Sequence, residues 1–169
     1  MINERYPIGQ FEYDDVISKE QVAQWIEEIH SLPQQLKEVV KDLSEEDLNR
    51  TYRQNSWTVR QLVHHLADSH MNGYIRMKLA ITEEIPTIKP YEEAEWAELP
   101  DYSLPITVSL HLIESLHERW GYLLQKLTEE QLKRTFLHPV SGITTVEKSI
   151  GIYAWHGKHH LAHIQNALA

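Results

Sequence analysis

The sequence predicts an all-α protein, a four-helix bundle with one long crossover and two short extra helices, and three observations carry that expectation. Helix-start signals recur as a Ser or Thr followed three residues later by an acid or amide, a pairing that satisfies two orphan N–H groups reciprocally. Apolar residues return at intervals of three and four, where a strand would alternate. One capped segment also returns 84 residues further along the chain, as if the plan were used twice.

In chain order, Ser18 with Gln21 opens a helix expected to reach about Asp42, and Ser44 with Asp47 opens a short one. Thr58 with Gln61 starts a long helix to about Glu84. The next should lie between about Pro105 and Lys126, because proline suits a first turn and Leu110, Ile113, Leu116, Trp120, Leu123 and Leu127 follow a helical period. Thr128 with Gln131 opens the second short helix, and Thr144 with Glu147 opens the last long one, running nearly to Ala169. The repeated segment is Leu43–Tyr52, LSEEDLNRTY, which returns as Leu127–Phe136, LTEEQLKRTF. Each copy lies between two long helices. Two such halves joined by the proline-containing segment 85–105 can pack as a four-helix bundle with a long crossover, although two unrelated capped turns would read the same way.

The chain has 169 residues, 41% of them apolar, so residues 1–169 are expected to form one domain with a real core. No uninterrupted apolar run approaches the ~18–20 residues of a membrane span, and Met1–Pro7 lacks the charged-then-apolar pattern of a signal peptide. The expected location is the cytoplasm. With no cysteine, disulfides, thiolate ligands and a cysteine nucleophile are excluded, and any thiol chemistry requires a thiol brought by the substrate. The net charge of −9 is spread over helix surfaces, which argues against nucleic acid, since phosphate binding needs a concentrated basic face.

Histidine stands out, with eleven copies gathered largely into segments 64–70 and 156–163. The last helix offers two i, i+4 pairs, His156 with His160 and His159 with His163; either could place two imidazoles on one ion. Spacing does not choose between them. On a helical wheel, Val146, Ile150, Tyr153, Leu161, Ile164 and Leu168 define the buried direction, with His160 about 60° and His156 about 100° away, and His163 and His159 about 120° and 160° away. The first pair therefore borders the core, while the second is expected to be solvated or to support the first. The alternative for His156 and His160 is an ordinary interface pair.

A third ligand would come from 64–70. His65 lies on the shoulder of an apolar face made by Val59, Leu62, Val63, Leu66, Gly73, Met77 and Ala80, and begins a polar stripe with Ser69, Asn72 and Arg76. These are candidate pocket residues, Arg76 being suited to an anionic group. His64 points further from the core. His70 falls within the apolar face and reads best as a satisfied core histidine, and Asp68 as a surface carboxylate that could also orient an imidazole. Three neutral imidazoles suit zinc, nickel or a related divalent ion and leave a coordination position open. In His156-Gly157-Lys158-His159-His160 the position of the metalloprotease glutamate is Gly157, so no built-in general base accompanies the pair. The five tryptophans read as core or interface anchors, with Trp155 placed to wall the pocket and the segment 85–105 placed to cover it.

Residues 57–72, WTVRQLVHHLADSHMN, with Tyr153–His156 and His160–Ile164, resemble the DinB superfamily and, within it, its YfiT-like branch. The resemblance extends through Tyr6–Gly9 and Leu79–Glu84 to Lys89–Tyr91 and so covers nearly the whole chain. It implies a four-helix bundle of the DinB type, often a homodimer, with a metal site matching His65, His156 and His160. It also implies one of two activities on a small-molecule substrate. The ion could activate a thiol cosubstrate, as in bacillithiol-dependent S-transferases, or a water, as in a metal-dependent hydrolase. A noncatalytic metal-binding stress-response protein is the third expectation, and would close the ion with a fourth protein ligand.

Overall fold

The computed structural model describes residues 3–169. Met1 and Ile2, the start of the segment read above for a targeting signal, lie outside the described residues. Four long helices dominate: α1 (Lys19–Val40), α3 (Val59–Thr82), α5 (Ile106–Gln125) and α7 (Val146–Leu168). The short helices α2 (Glu45–Leu48) and α6 (Glu129–Lys133) stand where the repeated segment placed them, and α4 (Glu93–Trp96) with a 3-10 turn at Pro100–Ser103 lies in the crossover. No helix among the described residues is long and apolar enough to cross a membrane.

The starts follow the caps. Ser18 accepts from the Gln21 N–H, and complete reciprocal boxes form at Ser44 with Asp47, Thr58 with Gln61 and Thr128 with Gln131. The expected box at Thr144 is corrected. Thr145 caps α7 by accepting from Lys148, because the extended pairing runs through Thr145 itself, opposite Thr135, before the helix begins. That pairing is a second departure from an all-helical reading: β1 (Thr135–His138) and β2 (Gly142–Thr145) form a small antiparallel hairpin. Its turn is closed by Gly142 at φ +88, a left-handed conformation that glycine adopts without penalty, and by His138 Nδ1 accepting from the Val140 and Ser141 N–H groups.

Corresponding backbone bonds favour related halves over coincidence. The Val59 N–H donates to the Arg50 carbonyl before α3, and the Val146 N–H to the Arg134 carbonyl before α7. Arg50 and Arg134 are the same position of the repeated segment. Likewise a Thr51–Thr58 bridge stands in the first half where the Thr135–Thr145 pair stands in the second.

Helices α1 and α3 each pack against both α5 and α7, so α1 and α3 lie diagonally across the bundle. Segment 83–105 returns along the length of α3 and delivers Leu104 beside Arg60 and His64, which makes α3 and α5 parallel neighbours. The last turn of α7 meets the first half at Arg50, whose guanidinium donates to the Leu168 carbonyl, so α7 runs antiparallel to α3. The core divides into two apolar clusters. One contains Trp25, Ile29, Met77, Trp120, Leu124 and Ile150, the other Leu36, Leu62, Leu66, Ile113 and Ile164. Between them, at mid-length, lies a layer of buried histidines.

Candidate metal centre

His65 projects from α3 toward α7, where His156 and His160 occupy successive turns of one face. The three rings lie 5.2 Å (65 to 156), 4.8 Å (65 to 160) and 4.5 Å (156 to 160) apart between centroids, and one ligand nitrogen from each falls within 4.8 Å of the others. His65 Nε2 and His156 Nε2 are 3.2 Å apart. Two nitrogens held ~2.0–2.1 Å from a tetrahedral zinc are separated by roughly 3.3 Å, so this spacing fits the edge of such a coordination shell. Among the described residues no fourth His, Asp or Glu ligand atom lies within that distance of all three. The donor set therefore fits a divalent ion with an open position, and the group could hold one.

Burial keeps the rings ready to ligate. Desolvation, reinforced by repulsion from His159, pushes His65 down to about 4, and desolvation holds His156 and His160 well below the ordinary imidazole value. At neutral pH all three are uncharged and keep a lone pair. His65 and His160 are buried while His156 keeps partial exposure. Trp57 lies 4.6 Å from the His65 ring and 6.4 Å from His160, so the indole beside the metal group is Trp57 and not Trp155. Trp155 stacks on His159 at 4.4 Å and donates to the Gly9 carbonyl. Trp57 carries a sequence signal after all, since it immediately precedes the Thr58 cap, where an apolar residue commonly anchors a helix start.

The helix α1 presses on α7 at Gly157, where a Cβ would come within 2.7 Å of Leu32. A glutamate there would face α1, so the absence of a metalloprotease base has a packing reason.

Several wheel expectations are corrected. His159 and His163 are buried, not solvated, because the N-terminal segment crosses that side of α7: Tyr6 packs on His159, and His163 Nε2 lies 3.2 Å from the Arg5 carbonyl with its ring stacked on Tyr52. His163 Nδ1 meets His160 Nδ1 at 3.2 Å, and His159, His160 and His163 form a second group of metal-ligand type sharing His160. His64 is buried as well, bonded to Ser109 Oγ and the Leu104 carbonyl beneath the segment before α5. Asp68 accepts from the Tyr102 hydroxyl at 2.6 Å and orients no ligand imidazole.

His70 is fully buried and satisfied, as expected of a core histidine, but its partners are other histidines: His156 Nδ1 at 3.1 Å and His117 Nε2 at 2.8 Å. His117 in turn approaches the Ile29 carbonyl at 2.5 Å. His117 was not among the expected site residues, although its position four residues after Ile113 and three before Trp120 puts it on the buried face of α5.

The polar stripe is only partly assembled. Ser69 is buried, Asn72 donates to the Asp68 carbonyl of its own helix, and Arg76 reaches the Tyr153 hydroxyl at 3.4 Å and the Lys89 carbonyl at 3.2 Å. Segment 85–105 runs along this flank, through Lys89 at Arg76, Tyr102 at Asp68 and the Ala97 carbonyl near Gln61. The Tyr91 hydroxyl is buried there, near Ser69, without a well-formed hydrogen bond.

The sequence profile of the DinB superfamily matches residues 28–164. A protein of Oceanobacillus iheyensis, provisionally named a metal-dependent hydrolase, is 61% identical over 163 residues, covering 96% of this chain and 95% of the relative. YfiT from Bacillus subtilis, described as a probable metal-dependent hydrolase with an unusual four-helix bundle topology, superposes with a TM-score of 0.93 at 48% identity, covering 97% of this chain and 95% of that one. A mycothiol-dependent maleylpyruvate isomerase superposes with a TM-score of 0.68 at 14% identity, over 85% of this chain and 60% of that one, a likeness of fold alone.

Proposed function

This chain belongs to the DinB superfamily, and we propose that it is a metal-dependent enzyme whose ion activates a small thiol of the bacillithiol class for attack on a small electrophile. His65, His156 and His160 hold one divalent ion, zinc or nickel, in each chain. The observation that carries this reading is the convergence of three neutral imidazoles without a fourth protein ligand among the described residues. A bound ion supplies Lewis acidity, lowering the pKa of the protic group that fills its remaining position.

The surrounding residues favour a thiol there. Asp68, on the flank beside His65, is tied to the Tyr102 hydroxyl, Gly157 supplies no carboxylate, and among the described residues no further His, Asp or Glu ligand atom joins the metal group. An ion has less to do to ionise a thiol, whose ordinary pKa is about 8.5, than to ionise water, whose pKa is near 15.7. The chain has no cysteine of its own to compete for the ion. Trp57 excludes water from one side of His65, and Arg76, braced by Tyr153 and Lys89, is placed to receive an anionic group of the cosubstrate. In the reaction the thiol gives up its S–H proton to solvent, a sulfur–carbon bond forms at the electrophile, and the bond from that carbon to the leaving group breaks with its electron pair going to the leaving group.

Hydrolysis is the second reading, favoured by the names of the Oceanobacillus relative and of YfiT. The test is an assay of tag-free, metal-loaded protein with bacillithiol and a model alkylating electrophile, alongside ester and amide substrates without thiol. Conjugate formation well above that of His65→Ala supports thiol transfer. Thiol-independent turnover with no conjugate replaces it by hydrolysis, and inactivity in both assays, with an ion that holds no exchangeable water, leaves a noncatalytic metal protein.

A further inference from the structure

We propose that His70, His117 and His163 are positioning residues that fix, before any metal arrives, which nitrogen His156 and His160 offer to it. The inference rests on the metal reading above, but its geometry can be tested without an ion.

A carbonyl oxygen only accepts, and a neutral imidazole has one N–H and one lone pair. Polarity can therefore be followed from each main-chain carbonyl outward. His117 Nδ1, at 2.5 Å from the Ile29 carbonyl, must carry the proton, which leaves Nε2 as an acceptor. His70 Nδ1 lies 2.8 Å from that acceptor and so is the donor, leaving His70 Nε2 with its lone pair. His156 Nδ1, 3.1 Å away, then donates to His70, and His156 Nε2 is left with a lone pair directed at His65. Three rings on three helices thus transmit one choice from α1 to the metal group.

The second chain is shorter. His163 Nε2 donates to the Arg5 carbonyl at 3.2 Å, its Nδ1 accepts from His160 Nδ1 at 3.2 Å, and His160 Nε2 is left free. This bond accounts for the close approach of His160 and His163 without a second ion, which would require His160 to give up both nitrogens. Metal-ligating histidines commonly donate their other N–H to a carbonyl or carboxylate. Here two histidines stand between His156 and its carbonyl, and one between His160 and its carbonyl.

His65 differs. Its Nδ1 is buried with no hydrogen-bond partner among the described residues, while its Nε2 faces the His156 lone pair at 3.2 Å. In the metal-free protein the only favourable arrangement is a proton on His65 Nε2, donated to His156. Coordination through that nitrogen requires the proton to leave Nε2 and Nδ1 to become the N–H, with no change in the ring's charge. Metal binding therefore changes the tautomer of His65 and leaves those of His156 and His160 as they were.

The experiment is nitrogen-15 NMR of the imidazoles in the metal-free and zinc-loaded full chain, with zinc affinity measured by chelator competition. The expected metal-free pattern is Nδ1–H on His70, His117, His156 and His160 and Nε2–H on His163 and His65, with only His65 changing on zinc. His117→Leu removes the acceptor for His70 and should weaken zinc binding by ~10–100-fold while moving the His156 signals. His117→Gln, which keeps an acceptor oxygen, should retain affinity within a few-fold and leave His156 unmoved. An Nε2–H on metal-free His156 or His160, two zinc ions per chain, or unaltered affinity and unmoved His156 signals in folded His117→Leu overturns the relay. If the tautomers are as expected but wild type binds no zinc, nickel or other divalent ion, the metal reading falls and the hydrogen-bond chains stand.

Discussion

Gly73→Ala should destabilise the protein by driving Tyr153 out of the histidine layer. A Cβ at Gly73 would stand 2.5 Å from Tyr153 Cζ and 2.7 Å from both Cε atoms, where unstrained carbons stay ~3.5 Å or more apart. The ring must retreat by about 1 Å, yet Trp120 and His70 meet it at centroid distances of 5.4 and 5.5 Å, and Arg76 holds its hydroxyl. Overpacking of this kind costs about 1–3 kcal/mol, and the severity of the overlap points to the upper part of that range. Replacing a mid-helix glycine by alanine returns about 1 kcal/mol of helix propensity, so packing wins by about 1–2 kcal/mol. For a chain of this size that is a fall in Tm of about 2–8 °C. Calorimetry of the metal-free protein measures it. In a Tyr153→Ala background the obstacle is gone and Gly73→Ala should become stabilising by about 1 kcal/mol. An unchanged or raised Tm in the otherwise wild-type protein, or an equal loss in both backgrounds, would refute the close-approach argument.

Other expectations follow from the same layer and from the helix starts. His65→Ala should abolish stoichiometric zinc or nickel uptake, read by metal analysis after desalting, while circular dichroism keeps its helical amplitude; full retention of one ion per chain would show that the trio is not the site. The pH dependence has a definite sign. His65 and His117 sit at about 4 in the folded chain against 6.5 when unfolded, so between those values the unfolded chain takes up protons that the folded one does not. Urea stability of the metal-free protein should hold above pH 6.5 and fall as pH drops toward 4, by up to about 3 kcal/mol for each of these rings; a flat profile over that window would contradict their burial as neutral groups. Thr58→Ala and Thr128→Ala each remove a reciprocal cap and should cost about 1 kcal/mol in denaturant titrations. Arg76→Gln should raise the KM for an acidic thiol cosubstrate more than it lowers kcat, and equal effects on a neutral thiol would remove the anion-binding role.

Much of this protein could be read along the chain because its signals are local. A Thr or Ser three residues before an acid or amide sets a helix start through hydrogen bonds within one turn, and the starts of α1, α2, α3 and α6 follow it. The i, i+4 spacing of His156 and His160, with His65 on the shoulder of its own helix, is likewise a property of single helices, and the folded chain brings these rings together. What failed was everything that depended on a second layer. The wheel turned His64 away from the core and set His159 and His163 in solvent or in support of the first pair, because it knows one helix and one buried direction. The segment before α5 and the N-terminal crossing at Arg5 and Tyr6 supply cover from 40 and more than 150 residues away. The β1–β2 hairpin keeps the backbone extended through Thr145, opposite Thr135, so the last helix starts one residue later than its local signal. His117 was invisible as a partner because nothing in α5 indicates that its ring lies against one on α3. Periodicity fixes what a helix can offer to its neighbours, and only the packing of neighbours decides which offers are taken up.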